Sequence, residues 1–372
     1  MADPQLPRRL PFSLYAVGAI ALCVLSIVLL RRWTAQDSPQ PSEHRERRAS
    51  RDEPMPAPSP NAPRPAPAVS ASARAEVRAG HQRGDVLIAA KWGGGKGELG
   101  LSRPAEGNPE APMSFAMDSQ GRAWVLDQVN GRLVSYGPDG SVLGEQRLEQ
   151  RVPQDVAISP QGTLAVLDRL GDKTVALIGP DGSPKGTLPL EGKGIADTGE
   201  VTGVFLDGDD VYAEVEHGTL VDIGKTDGTP SEDRSELPGR PSRDGRLLLN
   251  AGITQASEGR MWVSATRRKP IAPQFTREFH LAGEIMYLML LDSDRVGTIY
   301  VAALHIPVPQ AAPSVTLMCL EPERGEPLGT VELPANTSAD ETFREMTVLD
   351  GGGVVYAVRT EAGVSYQYYP CP

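Results

Sequence analysis

Three cysteines in 372 residues are too few for a disulfide framework. Cys23 lies inside an apolar run, and Leu22 stands where a lipidation site needs a small residue, so no acylated cysteine is expected. Cys319 and Cys371 fall in the last two units of the chain and either pair in an oxidising compartment or pack as small apolar side chains; packing is the expectation. Lysine is scarce, 7 against 30 arginines. The charge is also uneven. Residues 1–83 carry 12 arginines against 7 acids, a net +5, while the remainder carries 25 basic residues against 41 acidic ones, a net −16. Nucleic-acid binding rests on a basic surface that neutralises phosphates, so the acidic remainder argues against a nucleic-acid partner.

Catalytic signatures are also lacking. His44, His81, His217, His280 and His305 are scattered, and none forms a pair at metal-ligand spacing. Only a site assembled across distant segments would unite His217, His280 and His305 with acids. No Ser/His/Asp or Cys/His pattern stands out. Residues 93–97, Gly-Gly-Gly-Lys-Gly, mimic a phosphate loop, but neither Ser nor Thr follows Lys96 and no helical pattern follows. No cofactor and no metal site are therefore expected.

What the chain does have is a repeat. Shifted by 41 positions, Pro112, Ala116, Gln120, Gly121, Val125, Leu126, Asp127 and Val134 fall on Pro153, Ala157, Gln161, Gly162, Val166, Leu167, Asp168 and Val175. After one extra residue, Gly137-Pro138-Asp139-Gly140-Ser141 recurs as Gly179-Pro180-Asp181-Gly182-Ser183. Such a period marks a unit that cannot bury its own apolar faces and stacks on copies of itself. Each copy holds short β-rich runs between Gln-Gly and Pro-Asp-Gly turns. Four short strands per copy make one propeller blade.

The pattern Pro112, Ala116, Asp118, Gly121, Val125, Asp127, Asn130, Arg132, Val134 and Asp139-Gly140 resembles NHL repeats, with residues 92–97 resembling their glycine-rich lead-in. The likeness is good over residues 112–184 and weaker beyond. It implies an all-β propeller. Further units are read at 200–237, 246–281 and 284–333, and a last one at 343–369 with only three strand-like runs. The isolated run 85–91 supplies its fourth strand and closes the ring, with Val86, Ile88 and Ala90 on one face by period two. Six blades are expected. At 41–42 residues each, the 289 residues from Gly84 would hold seven, but long connections at 224–246, 265–275 and 304–314 absorb the surplus.

Ahead of the propeller (residues 84–372) come a short tail (1–10), an apolar stretch (11–30) and a linker (31–83). Residues 11–30 contain no charge and are flanked by arginine pairs, long enough to span a bilayer as an uncleaved single-pass anchor. The linker, with nine prolines between Pro39 and Pro67, reads as a disordered, partly stiff spacer that reaches up to roughly 150 Å. Orientation divides the signals. Counting arginines keeps the propeller cytoplasmic, whereas the short tail with Arg8-Arg9 and the proline-rich linker favour the outside. The expectation is a periplasmic propeller on a bacterial inner membrane, with a cytoplasmic one as the alternative.

Residues of the two repeat units (Gly121, Asp127, Asn130, Arg132, Asp139, Gly140, Gly162, Asp168, Asp181 and Gly182) are read as builders of the blade, through turns and a strand-to-strand charge pair. Departures from the repeat are the better functional lead, because specificity resides on loops held by a rigid scaffold. Arg267, Arg268 and Lys269 form a basic patch in an acidic domain, and Ile306 and Val308 belong to an apolar, proline-rich insertion at 306–313. The turn-rich segment 227–246 is a third candidate. Two of these loops on one face would make a rim with a basic patch and an apolar lip. The favoured reading is a membrane-tethered binding or scaffolding module for a protein or envelope-glycan partner. The alternative is a propeller enzyme of the metal-dependent lactonase-like hydrolase or lyase type.

Overall fold

The computed structural model describes residues 82–371 apart from 337 and 339, so the expected anchor and nearly all of the linker lie outside the described residues. The described residues form six antiparallel sheets of four strands each, ordered as the blades of a β-propeller. Blade one is β2 (Ser114–Met117), β3 (Ala123–Asp127), β4 (Arg132–Tyr136) and β5 (Val142–Arg147). Blade two is β6 (Asp155–Ile158), β7 (Leu164–Asp168), β8 (Thr174–Ile178) and β9 (Pro184–Pro189). Blade three comprises β10 (Val201–Asp207), β11 (Asp210–Val215), β12 (Thr219–Lys225) and β13 (Glu236–Leu237), and blade four β14 (Arg240–Pro241), β15 (Leu247–Gln255), β16 (Arg260–Arg268) and β17 (Ile271–His280). Blade five is β18 (Glu284–Ser293), β19 (Ile299–Ile306), β20 (Ser314–Leu320) and β21 (Pro327–Pro334).

Blade six takes β22 (Met346–Val348), β23 (Val354–Thr360) and β24 (Gly363–Tyr369) from the end of the chain and β1 (Val86–Lys91) from before the first repeat. The ring closes as expected, with Ile88 opposite Tyr366 and Ala90 opposite Val364. One detail differs. A register shift between Val86 and Ile88 takes Val86 off the buried face, leaving it 54% exposed while Ile88 and Ala90 are buried. A bulge inserts a residue and breaks the period of two on which the expectation rested. The fourth unit also begins earlier than expected, because the two-residue strand β14 precedes Arg246.

The turns explain the repeat. Gly121 and Gly140 have φ of 78° and 76°, a left-handed conformation that glycine adopts without a Cβ penalty. At Gly140 a Cβ would also meet the Leu87 carbonyl oxygen at 2.5 Å, which ties this turn to the closing strand. Apolar residues of adjacent blades share the clusters between them. At the seam of blades one and six, Phe115 meets Tyr366 edge-on with centroids 4.8 Å apart. Cys319 and Cys371 are buried in one cluster between blades five and six.

The innermost strands lie side by side around the axis, β2 against β6 and β22, β6 against β10, and β18 against β22. Turns between first and second strands therefore gather on one face, here the lower. Second-to-third turns and blade-to-blade connections gather on the other, the upper.

Candidate functional site

Arginine–carboxylate pairs fill the middle of the channel. Asp155, the first residue of β6, is buried and accepts from Arg344 Nε at 3.0 Å and Nη2 at 2.7 Å. It also accepts from Ser114 Oγ of blade one at 2.6 Å and from the Val204 amide of blade three at 3.0 Å. Arg344 itself precedes β22 and donates from Nη2 to the Val204 carbonyl. One carboxylate thus joins four blades. A second pair does the same work opposite: Arg240 donates from Nε and Nη2 to buried Glu214 at 2.6 and 2.9 Å, and from Nη1 to the Leu291 carbonyl. Arg243 binds Asp292 and Asp350, linking blades four, five and six.

Charges taken out of water are tolerated only when paired and hydrogen-bonded. Burial alone would raise the Glu214 carboxyl, but the Arg240 charge, hydrogen bonds from Arg240 and Thr202 and the nearby His217 ring hold it far below the usual carboxylate range. The Arg344 and Arg243 guanidiniums are held above theirs, because the neighbouring acids outweigh desolvation. Phe205 packs among them, with the Arg240 and Arg344 guanidiniums over its ring at 4.8 and 5.1 Å.

Two cavities open on either side of this plug, and Phe205, Asp292 and Arg344 line both. The lower one, about 170 Å³, has Asp118, Arg243, Arg295 and Asp350 in its walls. The upper one, about 420 Å³, is walled by Ile253, Met286, Tyr287, Met289 and Phe343, with His217 at its edge. Burial, and the Glu345 carboxylate, push the Tyr287 hydroxyl up to about 12.

The repeat residues lie away from this channel chemistry. Asp127 is buried and accepts from the Gly100 amide, Asn130 Nδ2 and Arg132 Nε. Asn130 and Arg132 in turn hold the carbonyls of Gly93 and Gly95, so the glycine-rich lead-in is clamped to blade one. Asp168 accepts from the Gly171 and Val152 amides, but Lys173, at the position of Arg132, pairs with exposed Glu191 instead. Asp139 and Asp181 each cap their own turn through Ser141 and Ser183. Gly162 and Gly182 repeat the positive φ of Gly121 and Gly140.

The two loops singled out by sequence lie on opposite faces. Arg267, Arg268 and Lys269 sit at the lower end of β16, where Arg268 pairs with Asp207 at 2.5 Å and Arg267 and Lys269 border a separate surface cleft between blades four and five. Ile306 ends β19 at the upper face, and Val308 beyond it is 59% exposed. They do not form one rim. The histidines do not converge either: His217 edges the upper cavity, His280 ends β17, and His305 is buried between the Ala282 carbonyl and Thr316 Oγ1. Among the described residues no three His, Cys, Asp or Glu side chains are placed to hold a metal ion.

Sequence reading missed Asp155, Glu214, Arg240, Arg243, Asp292 and Arg344. One signal was present. Asp155 stands one period after Ser114, so the innermost strand changes from a hydroxyl to a carboxylate exactly one repeat on.

No protein-family model matches the chain, and no curated protein matches it. Solved structures similar to it include hydrazine synthase of Kuenenia stuttgartiensis, 14% identical over 69% of this chain and 76% of that one, with a TM-score of 0.45. A streptogramin B lyase is 12% identical over 72% and 97%, TM-score 0.42, and the C-terminal WD40 domain of Sif2 is 12% identical over 73% and 84%, TM-score 0.42. These are distant likenesses. The six-bladed fold rests on the sheets themselves.

Proposed function

We propose that this chain is a non-catalytic, membrane-tethered binding module that offers the upper face of its propeller to a protein or envelope-glycan partner. The observation that carries this reading is the placement of exposed apolar side chains. Of ten large apolar residues left exposed among the described residues, six (Val152, Leu170, Ile253, Met286, Tyr287 and Val308) belong to upper-face connections or strand ends. Three of them, Ile253, Met286 and Tyr287, line the upper cavity together, and an exposed apolar group at a cavity mouth marks an interaction surface more than single scattered residues do. The channel carboxylates are committed to arginines, which leaves a metal-dependent hydrolase or lyase without a convergent donor set among the described residues. Residues 11–30 would supply the anchor and 31–83 the spacer, with the propeller periplasmic; protease cleavage of the linker in spheroplasts tests that orientation.

A photoreactive benzoylphenylalanine at position 286 or 308, in native membranes, should give a discrete crosslinked adduct, while the same group at 143 or 328 on outer strands should not. Protease and glycosidase treatment of the adduct tells protein from glycan. Equal labelling at all four positions, or none, would remove the upper face from consideration.

A further inference from the structure

We infer that the upper cavity is a site for a small organic anion, with the carboxylate, sulfonate or phosphate at Arg344 and an aromatic or apolar body against Met286, Tyr287, Ile253 and Phe343. This rests on the reading of the upper face as the binding face and specifies what enters its cavity.

The floor presents donors. The Asp155 and Glu214 side chains are each 1% exposed, whereas their arginine partners Arg344 and Arg240 are 23% and 21% exposed. Asp155 borders the cavity together with Arg344, but of the pair the guanidinium exposes more surface. Arg344 commits Nε and Nη2 to Asp155 and the Val204 carbonyl, and its Nη1 makes no hydrogen bond among the described residues. A guanidinium fixed on one edge by a buried carboxylate keeps its remaining donor preorganised for an incoming acceptor.

A second cation stands behind the cavity wall. Arg169 donates from Nη1 to the carbonyls of Gly199 and Val201, lies over the Phe343 ring at 5.1 Å, and makes no ion pair among the described residues. Its Nε is buried without a partner. Burial lowers its affinity for the proton, and Glu341 opposes this only at longer range. An uncompensated positive charge behind Phe343 favours a negative group on the cavity side. Three acids line the cavity: Asp155 is bound by Arg344, Asp292 by Arg243, and Glu216 is exposed at the edge. The volume, about 420 Å³, lies within the roughly 300–1,000 Å³ of small-molecule sites, and the walls combine apolar side chains with converging polar and charged groups.

The test is a matched pair of probes, 2-naphthoate and its neutral analogue 2-naphthamide, titrated by calorimetry into the purified full chain with protein-free detergent as the blank. The wild type should bind 2-naphthoate at least tenfold more tightly. The double substitution Asp155→Asn with Arg344→Gln removes both charges of the buried pair, so neither is left uncompensated, and should bring the two probes to equal affinity. Met286→Asp, at a half-exposed lip position that costs the fold little, should weaken 2-naphthoate more than 2-naphthamide without moving the melting temperature. A wild-type preference near one, no binding of either probe, or a preference that survives the double substitution overturns the inference. Should the double variant fail to fold, an unchanged preference in Met286→Asp overturns it. Crosslinking at position 286 that persists in any of these cases leaves the binding face standing and removes only the anion.

Discussion

Asp127 and Asp155 are both buried acids on inner strands of neighbouring blades, and they do different work. Asp127 gathers groups no more than 27 residues away: the Gly100 amide, Asn130 and Arg132. Asp155 gathers Ser114, the Val204 amide and Arg344, the last 189 residues distant. The first recurs one period later as Asp168, where it again accepts backbone amides. The second does not recur, since Ser114 holds its place in blade one. Repeated carboxylates build a blade and singular ones hold blades to one another. In this ring, the singular ones also furnish the channel.

The largest test of that division lies at the closure, where one strand does both jobs. β1 completes blade six and buries Ile88 and Ala90 beside Tyr366 and Phe115 of the adjoining blade. A chain beginning at Gly93 loses that burial, at about 1.5–3 kcal/mol for the isoleucine alone, and exposes the β24 edge. With the lost ladder the deficit should reach several kcal/mol, and at about 2–4 °C per kcal/mol the melting temperature should fall by on the order of 10 °C, with aggregation. A chain beginning at Gln82 should melt with the full-length propeller. Equal melting of the two shortened chains would show that closure does not depend on β1.

Next comes the buried pair. Asp155→Ala leaves Arg344 without its counter-charge, and breaking a buried pair costs about 3–5 kcal/mol. Adding Arg344→Met should recover most of that loss, because the double change removes both charges and leaves apolar volume beside Phe205. Denaturant melts of the two variants decide the matter. Additive losses would mean that the two side chains are not a coupled pair.

How much of this was legible depended on distance along the chain. The closure could be read because residues 85–91 had no neighbouring strand and the last unit lacked one. The turns could be read because Gly121 and Gly140 stand where only a left-handed residue fits. The pairing of Asp155 with Arg344 could not, since alternation marks a charged residue in a strand and says nothing of a partner 189 residues on. β14 escaped because a two-residue strand ending in Pro241 has no period. Val86 escaped because a bulge sets its burial. The faces of the 267–270 and 306–313 loops follow from which end of a strand each leaves, which depends on correct strand counting in blade four.

Acid tests the Glu214–Arg240 pair more gently. Glu214 is held below its ordinary value of 4.5 chiefly by Arg240, against the opposing effect of burial. Its contribution to stability is therefore fully present above about 4.5 and is lost progressively as pH falls towards the depressed folded value. The melting temperature should decline on acidification below that point. Glu214→Gln should start lower at neutral pH, with Arg240 unmatched, and decline less. Parallel pH profiles for the two proteins would sink this assignment.

The smallest expected effect compares two copies of one position. Arg132 and Lys173 are a single repeat apart, yet only the arginine is embedded. It is 12% exposed and donates to Asp127, Glu145 and the carbonyls of Gly95 and Glu98, which fixes the glycine-rich lead-in against blade one. Lys173 reaches an exposed partner, Glu191, and solvent screens that pair. Arg132→Met should cost about 3 kcal/mol, because Asp127 loses its buried counter-charge and retains only neutral donors. Lys173→Met should leave the melting temperature within error, although the sequence gives both residues the same place in the repeat. If both substitutions proved equally harmful, the charge at this position would be a requirement of every blade, and the contrast between repeated and singular charges would have to be drawn elsewhere.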